Sequence, residues 1–119
     1  MPINSRNKGK VGELEWAAKL REFGFEAERG QQRAGGADSP DVRCSIPGVH
    51  FEVKRVEALN VHKAMEQAVR DCRPDDMPIV AHRKNRTDWL ITMPAEDFLY
   101  MVTVMMLSLI HISEPTRPY

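Results

Sequence analysis

The chain predicts an α/β domain, a mixed sheet with helices against it in the order α-β-β-β-α-β-β-α, and three observations carry that expectation. Apolar residues recur at helical spacing near the start and again after Asn60; strict alternation runs on both sides of Pro47-Gly48; and two short apolar runs, Ile79-Val80-Ala81 and Trp89-Leu90-Ile91, follow. The 119 residues, 42% hydrophobic and 29% charged, fit one globular domain with room for a single core.

The first helix is expected from about Lys8 to Phe23, with Val11, Leu14, Ala17, Ala18 and Leu20 as its apolar stripe. Lys19 and Arg21 suit its C-terminal end, and Gly24 stops it. Phe25 to Arg29 reads as a short strand. Gly30 to Ser39, which holds Gly35-Gly36 and nothing apolar larger than alanine, reads as a loop leading into Asp41.

A hairpin follows, because Pro47-Gly48 supplies the fixed φ and the permissive φ that a tight turn needs. Centred there, it pairs Ile46 with Val49, Arg43 with Glu52, Val42 with Val53 and Asp41 with Lys54. Alternation then puts Val42, Cys44, Ile46, Val49, Phe51 and Val53 on one face. Asp41, Arg43, Ser45, His50, Glu52 and Lys54 fall on the other, and an even-length loop preserves the split. His50, a lone histidine beside a turn, is expected at the surface.

Asn60 caps a second helix in which Val61, Ala64, Met65, Ala68, Val69 and Cys72 share one stripe, and Arg73-Pro74 ends it. Ile79-Val80-Ala81 and Trp89-Leu90-Ile91 read as short buried strands joined by a polar turn, and Pro94 to Val102 as a closing helix. Cys44 and Cys72 lack zinc spacing and are expected as buried free thiols.

Formal net charge is zero, so any footprint for a polyanion has to be local. Basic clusters occur at Arg6, Lys8 and Lys10, at Arg29 and Arg33, and at Arg83, Lys84 and Arg86. No apolar run follows the polar, basic start, which argues against a signal peptide and for the cytoplasm of a bacterial or phage-infected cell. Phe98 to Ile112 is too short to span a bilayer. Its continuation, Leu107 to Arg117, resembles the in-frame translation of a sequencing-library adapter, so the domain is expected to be 1–103 and 104–119 a non-native tail.

Two carboxylates and an ammonium on one hairpin face suit metal-assisted hydrolysis of a phosphodiester. The same alternation also fits a half-buried hairpin with a solvated face. Mg²⁺ is a hard cation that takes one or two carboxylates and keeps several waters, matching Asp41 and Glu52 better than any Cys or His cluster here. The Val53 carbonyl is a further candidate ligand. Lys54, on the same face, would orient the attacking water or stabilise charge on the phosphorus centre.

In this order, Lys8-Gly9-Lys10-Val11-Gly12-Glu13, Ser39-Pro40-Asp41 and Glu52-Val53-Lys54 resemble the PD-(D/E)XK nucleases, and within them the archaeal-type Holliday junction resolvases and their phage relatives. The resemblance covers roughly Arg6 to Leu99. It implies a restriction-endonuclease-like fold and a Mg²⁺-dependent endodeoxyribonuclease, with Mn²⁺ as a possible substitute and no small-molecule cofactor. Glu13 would assist metal binding, Asp41, Glu52 and Val53 would be ligands, and Lys54 the catalytic lysine. Gln67 would stand near the site, although its place off the centre of the stripe fits a surface residue as well. Arg6, Lys8, Lys10 and Arg33 would meet DNA, and Ser39 stands in for the serine that archaeal relatives carry in the preceding loop. Branched or double-stranded DNA is the implied partner, cut by a homodimer that needs no membrane. A repair or recombination nuclease acting on nicks, flaps or ends, and a non-catalytic DNA-binding module, are the alternatives.

Overall fold

Helix α1 (Ser5–Glu22) is followed by strands β1 (Ala27–Arg29), β2 (Val42–Cys44) and β3 (Val49–Arg55), helix α2 (Val61–Asp71), strands β4 (Met77–Arg83) and β5 (Leu90–Thr92), and helix α3 (Ala95–Ser113). This is the expected α-β-β-β-α-β-β-α order, seen in a computed structural model that describes residues 5–30 and 40–113. The strands form one sheet in the order β1-β2-β3-β4-β5, antiparallel except for the pair β3–β4. Parallel neighbours need a crossover, and α2 provides it.

The central strand β3 separates two packing layers. Its odd-numbered residues Phe51 and Val53 join Val42, Ile79 and Ala81 beneath α1, where Trp16, Ala17 and Leu20 close the larger core. Trp16 meets the Phe51 ring edge-on at 5.4 Å between centroids and also packs on Trp89. On the opposite face, Ala64 and Ala68 of α2 pack on Val80. The Asn60 side chain caps α2 by accepting from the Lys63 amide at 3.1 Å.

Several local expectations shift. The buried stripe of α1 runs through Gly12, Glu13, Trp16, Ala17 and Leu20, while Val11 and Leu14 face outward at 44% and 46% exposure. A glutamate within the buried arc displaces the apparent apolar centre. Gly12 sits there because a Cβ would lie 2.9 Å from the Arg55 Cβ, so the bare backbone lets α1 approach β3.

The hairpin register differs from the expected one by two residues: Val42 pairs with Phe51, not Val53. Ser45 is drawn toward β1, its amide donating to the Glu26 carbonyl and its hydroxyl accepting from the Glu26 amide, so the connection spans Ser45 to Gly48. Gly48 has φ +75° there. Four residues replace two, the difference is even, and every side chain keeps its expected face. Val42, Cys44, Ile46, Val49, Phe51 and Val53 all belong to the core beneath α1.

Strand β5 is not buried: Leu90 and Ile91 are more than 45% exposed at the sheet edge. Cys44 and Cys72 are half-buried free thiols, and Val69 is exposed. Helix α3 continues past Val102 to Ser113, because no proline or glycine interrupts that run, and its large apolar side chains from Phe98 to Ile110 are largely exposed. Among the described residues no helix is long and apolar enough to cross a membrane.

Gly30 fixes how the chain enters the hairpin. Its amide donates to the Asp41 carbonyl at 2.8 Å, and a Cβ on it would overlap the Pro40 carbonyl oxygen. Gly30→Ala is therefore expected to lower the unfolding free energy by about 1–3 kcal/mol, measured by urea denaturation. Gly9→Ala, with nothing within 4 Å of the added carbon, is the control and should be neutral or stabilising.

Candidate active site

Asp41 and β3 are joined by a specific bond. The Val53 amide donates to Asp41 Oδ2 at 2.8 Å, while the Asp41 amide donates to the Phe51 carbonyl at 3.0 Å. The carboxyl is thereby held next to the strand that carries Glu52 and Lys54. Glu52 is 2% exposed and close enough to Asp41 to act on its carboxyl. Lys54 donates from Nζ to Gln67 Oε1 at 2.9 Å, so a residue of α2 aims the ammonium. Gln67 is half-buried and belongs to this cluster, not to the solvated surface.

Glu13 approaches from α1. It is 5% exposed, and Arg29 Nε on β1 donates to its Oε1 at 2.6 Å. That short, charge-assisted bond offsets part of the cost of burying the glutamate. Arg29 was visible in the sequence only as one of several basic residues. No spacing links it to Glu13, because the bond depends on β1 lying beside β2 under α1.

His50 is the larger surprise. It is 2% exposed, not at the surface, with Nε2 3.5 Å from Glu52 Oε1. Its sequence signal was the i, i+2 relation to Glu52, which places both on one face of β3. The tip of the turn is solvated, but His50 has already entered the strand beside β4, opposite Pro78. Lys10 is exposed on α1. Arg6 and Lys8 fall in the first turns of that helix with side chains outside the described residues, as Arg33 and Ser39 are altogether.

Charge concentrates here. The Asp41 carboxyl is pushed up from 3.8 to about 7, first by burial and then by Glu52, with Glu13 adding to the rise. The Val53 amide and Lys54 oppose it without cancelling it. Three carboxyl groups thus crowd one small region, and such crowding is relieved by a proton or by a cation. Glu52 Oε2 is buried without a hydrogen-bond partner among the described residues, an acceptor left over for such a cation. No three His, Cys, Asp or Glu side chains among the described residues form a ready-made metal cage. A cation that keeps most of its waters does not require one. Asp41, Glu52 and the Val53 carbonyl are the groups suited to hold it, with Glu13 adjoining.

The chain is similar to known proteins in sequence family and in fold. A family model described as "Phage putative PDDEXK endonuclease" matches residues 4–113. Among solved structures, the 1.6 Å structure of Archaeoglobus fulgidus Hjc, a Holliday junction resolvase from an archaeal hyperthermophile, is similar at 19% identity with a TM-score of 0.49, over 71% of this chain and 73% of that one. No curated protein sequence matches.

The raised Asp41 pKa carries a pH dependence. Folded protein holds the Asp41 proton more tightly than unfolded protein, so this group favours folding most at the acid end and loses that contribution as pH rises from about 4 through about 7. In EDTA, the thermal midpoint of the wild type should fall over that range relative to Asp41→Asn, whose amide can still accept from Val53. Equal slopes in the two proteins would contradict the assignment.

Proposed function

The chain belongs to the phage PD-(D/E)XK endonuclease family, and from that premise we propose that it is a divalent-metal-dependent endodeoxyribonuclease acting on branched DNA, Holliday junctions foremost. The observation that carries this reading is the cluster of Asp41, Glu52 and Lys54 around the Val53 amide, with Glu13 adjoining. Substrate shape is inferred from the resemblance of the three motifs to archaeal-type resolvases and their phage relatives.

Asp41 and Glu52 would hold Mg²⁺, or Mn²⁺ in its place, through carboxylate oxygens, and Val53 through its carbonyl. Glu13 would assist from α1. The bound ion supplies an acidified water and polarises the phosphoryl oxygen. The remaining work belongs to the chain. Lys54, kept in place by Gln67, orients the attacking water and stabilises the charge that grows on the phosphoryl oxygens. Asp41, with its pKa near 7, can exchange its proton for the cation at neutral pH without much loss. Lys10, with Arg6, Lys8, Arg33 and Ser39, would contact the DNA backbone, and a two-fold dimer would present two such sites to symmetric strands. The nuclease domain would comprise residues 1–103, with 104–119 taking no part.

Three experiments test this. Labelled four-way junction, flap, nicked duplex and single strand are incubated with the protein in Mg²⁺ or EDTA. Junction cleavage should exceed the rest and stop in EDTA; equal cutting of all four would remove the junction assignment. Asp41→Asn should abolish cleavage yet still bind junction DNA in a gel-shift assay, because phosphate contacts dominate affinity. Lys54→Met should slow single-turnover cleavage by about 10²- to 10³-fold. Gln67→Ala should slow it less, since the lysine remains but is no longer held.

A further inference from the structure

Among the described residues, His50 is a buried polar side chain that the mechanism above leaves unused. His50 and Glu52 lie two residues apart on β3, share its α2-facing side and are each 2% exposed. Nε2 of the imidazole is 3.5 Å from Oε1 of the carboxylate. Neither His50 Nε2 nor Glu52 Oε2 has a hydrogen-bond partner among the described residues. A strand that alternates core and polar positions could have placed an apolar residue at 50, packed like Val80, at no cost in buried polarity. The imidazole therefore needs a reason tied to its nitrogen.

Resting on the metal-dependent reading above, we propose that His50 is a positioning residue for Glu52. In the tautomer that carries hydrogen on Nε2, the 3.5 Å gap to Oε1 would close by a few tenths of an ångström once a cation engages Glu52, and the imidazole would then donate to Oε1 and fix the rotation of the carboxylate. That leaves the orphaned Oε2 as the oxygen presented to the divalent cation. A carboxylate free to rotate would divide its oxygens between the cation and whatever else is near. One restrained by a donor behind it presents a single oxygen, as supporting hydrogen bonds commonly do for metal-ligating carboxylates. The donor is set in the strand itself, on the same rigid element as Glu52 and Lys54, so the three are aligned by the β3 backbone.

The test is Mn²⁺ binding, followed by the electron paramagnetic resonance of free Mn²⁺, on full-length wild type, His50→Gln and His50→Leu after EDTA treatment and exchange. Gln can donate from its amide nitrogen at a reach close to Nε2 of histidine; Leu fills similar space and donates nothing. Expected is a loss of Mn²⁺ affinity of about 10- to 100-fold in His50→Leu, with His50→Gln close to wild type. Circular dichroism and melting in EDTA check the fold, and His50→Phe replaces His50→Leu if the latter does not fold. Wild-type affinity in the apolar variant would overturn the proposal. Gln as weak as Leu would overturn it as well, pointing to an imidazole that binds the ion itself. Absence of Mn²⁺ binding by the wild type would instead remove the metal-dependent reading on which the proposal stands.

Discussion

The hydrogen bond from the Val53 amide to Asp41 Oδ2 is the constraint on which the rest of this molecule turns. Strand β2 is only three residues long, and it pairs with β3 at the position Val42–Phe51. Backbone bonds to Phe51 and Gly30 hold the Asp41 main chain beside β3, and the carboxylate bond fixes its side chain. With it, the side chain becomes part of the β3 ladder, and its distance from Glu52 is set by backbone geometry. The same residue, Val53, sends its side chain into the core beneath α1. Packing of the hydrophobic layer and placement of the acidic group are therefore mechanically one event.

That arrangement has an electrostatic cost. Asp41, Glu52 and Glu13 are brought together with little solvent, and the Asp41 proton is held to about pH 7 as a result. Fold stability would favour apolar residues at all three positions. Their presence fits the proposed nuclease site, where a divalent cation would offset the crowded negative charge. Arg29 on Glu13 and Gln67 on Lys54 moderate the cost from the periphery. Each comes from a different element, so β1 and α2 both contribute to a centre that neither carries.

The two packing layers explain why the chemistry lies on one side of β3. Helix α1 covers the Phe51 and Val53 side with Trp16 and Leu20, and the one charged side chain that its buried arc brings in is Glu13, held by Arg29. On the opposite side α2 packs Ala64 and Ala68 on Val80, with Met65 partly buried beside them. Small side chains leave space beside the sheet, and His50, Glu52 and Lys54 share that side of the strand.

Most of this was legible in the sequence because it depends on periodicity. Alternation about Pro47-Gly48 assigned every hairpin residue to its face, and the assignment survived a register shift because four loop residues replaced two. The Asn60 cap, the α2 stripe and the element order were local facts of the same kind. What periodicity could not reach was anything decided by a third element. The buried arc of α1 contains Glu13, which an apolar count passes over, so only the packing against β3 revealed its true phase. His50 looked like a turn residue until the parallel partner β4 and the crossover helix enclosed it. Arg29 found Glu13 only because β1 runs beside β2. Local sequence determined which residues face one another along a strand or helix; the tertiary structure alone decided which of those faces lost their water, and with it which charges had to find partners.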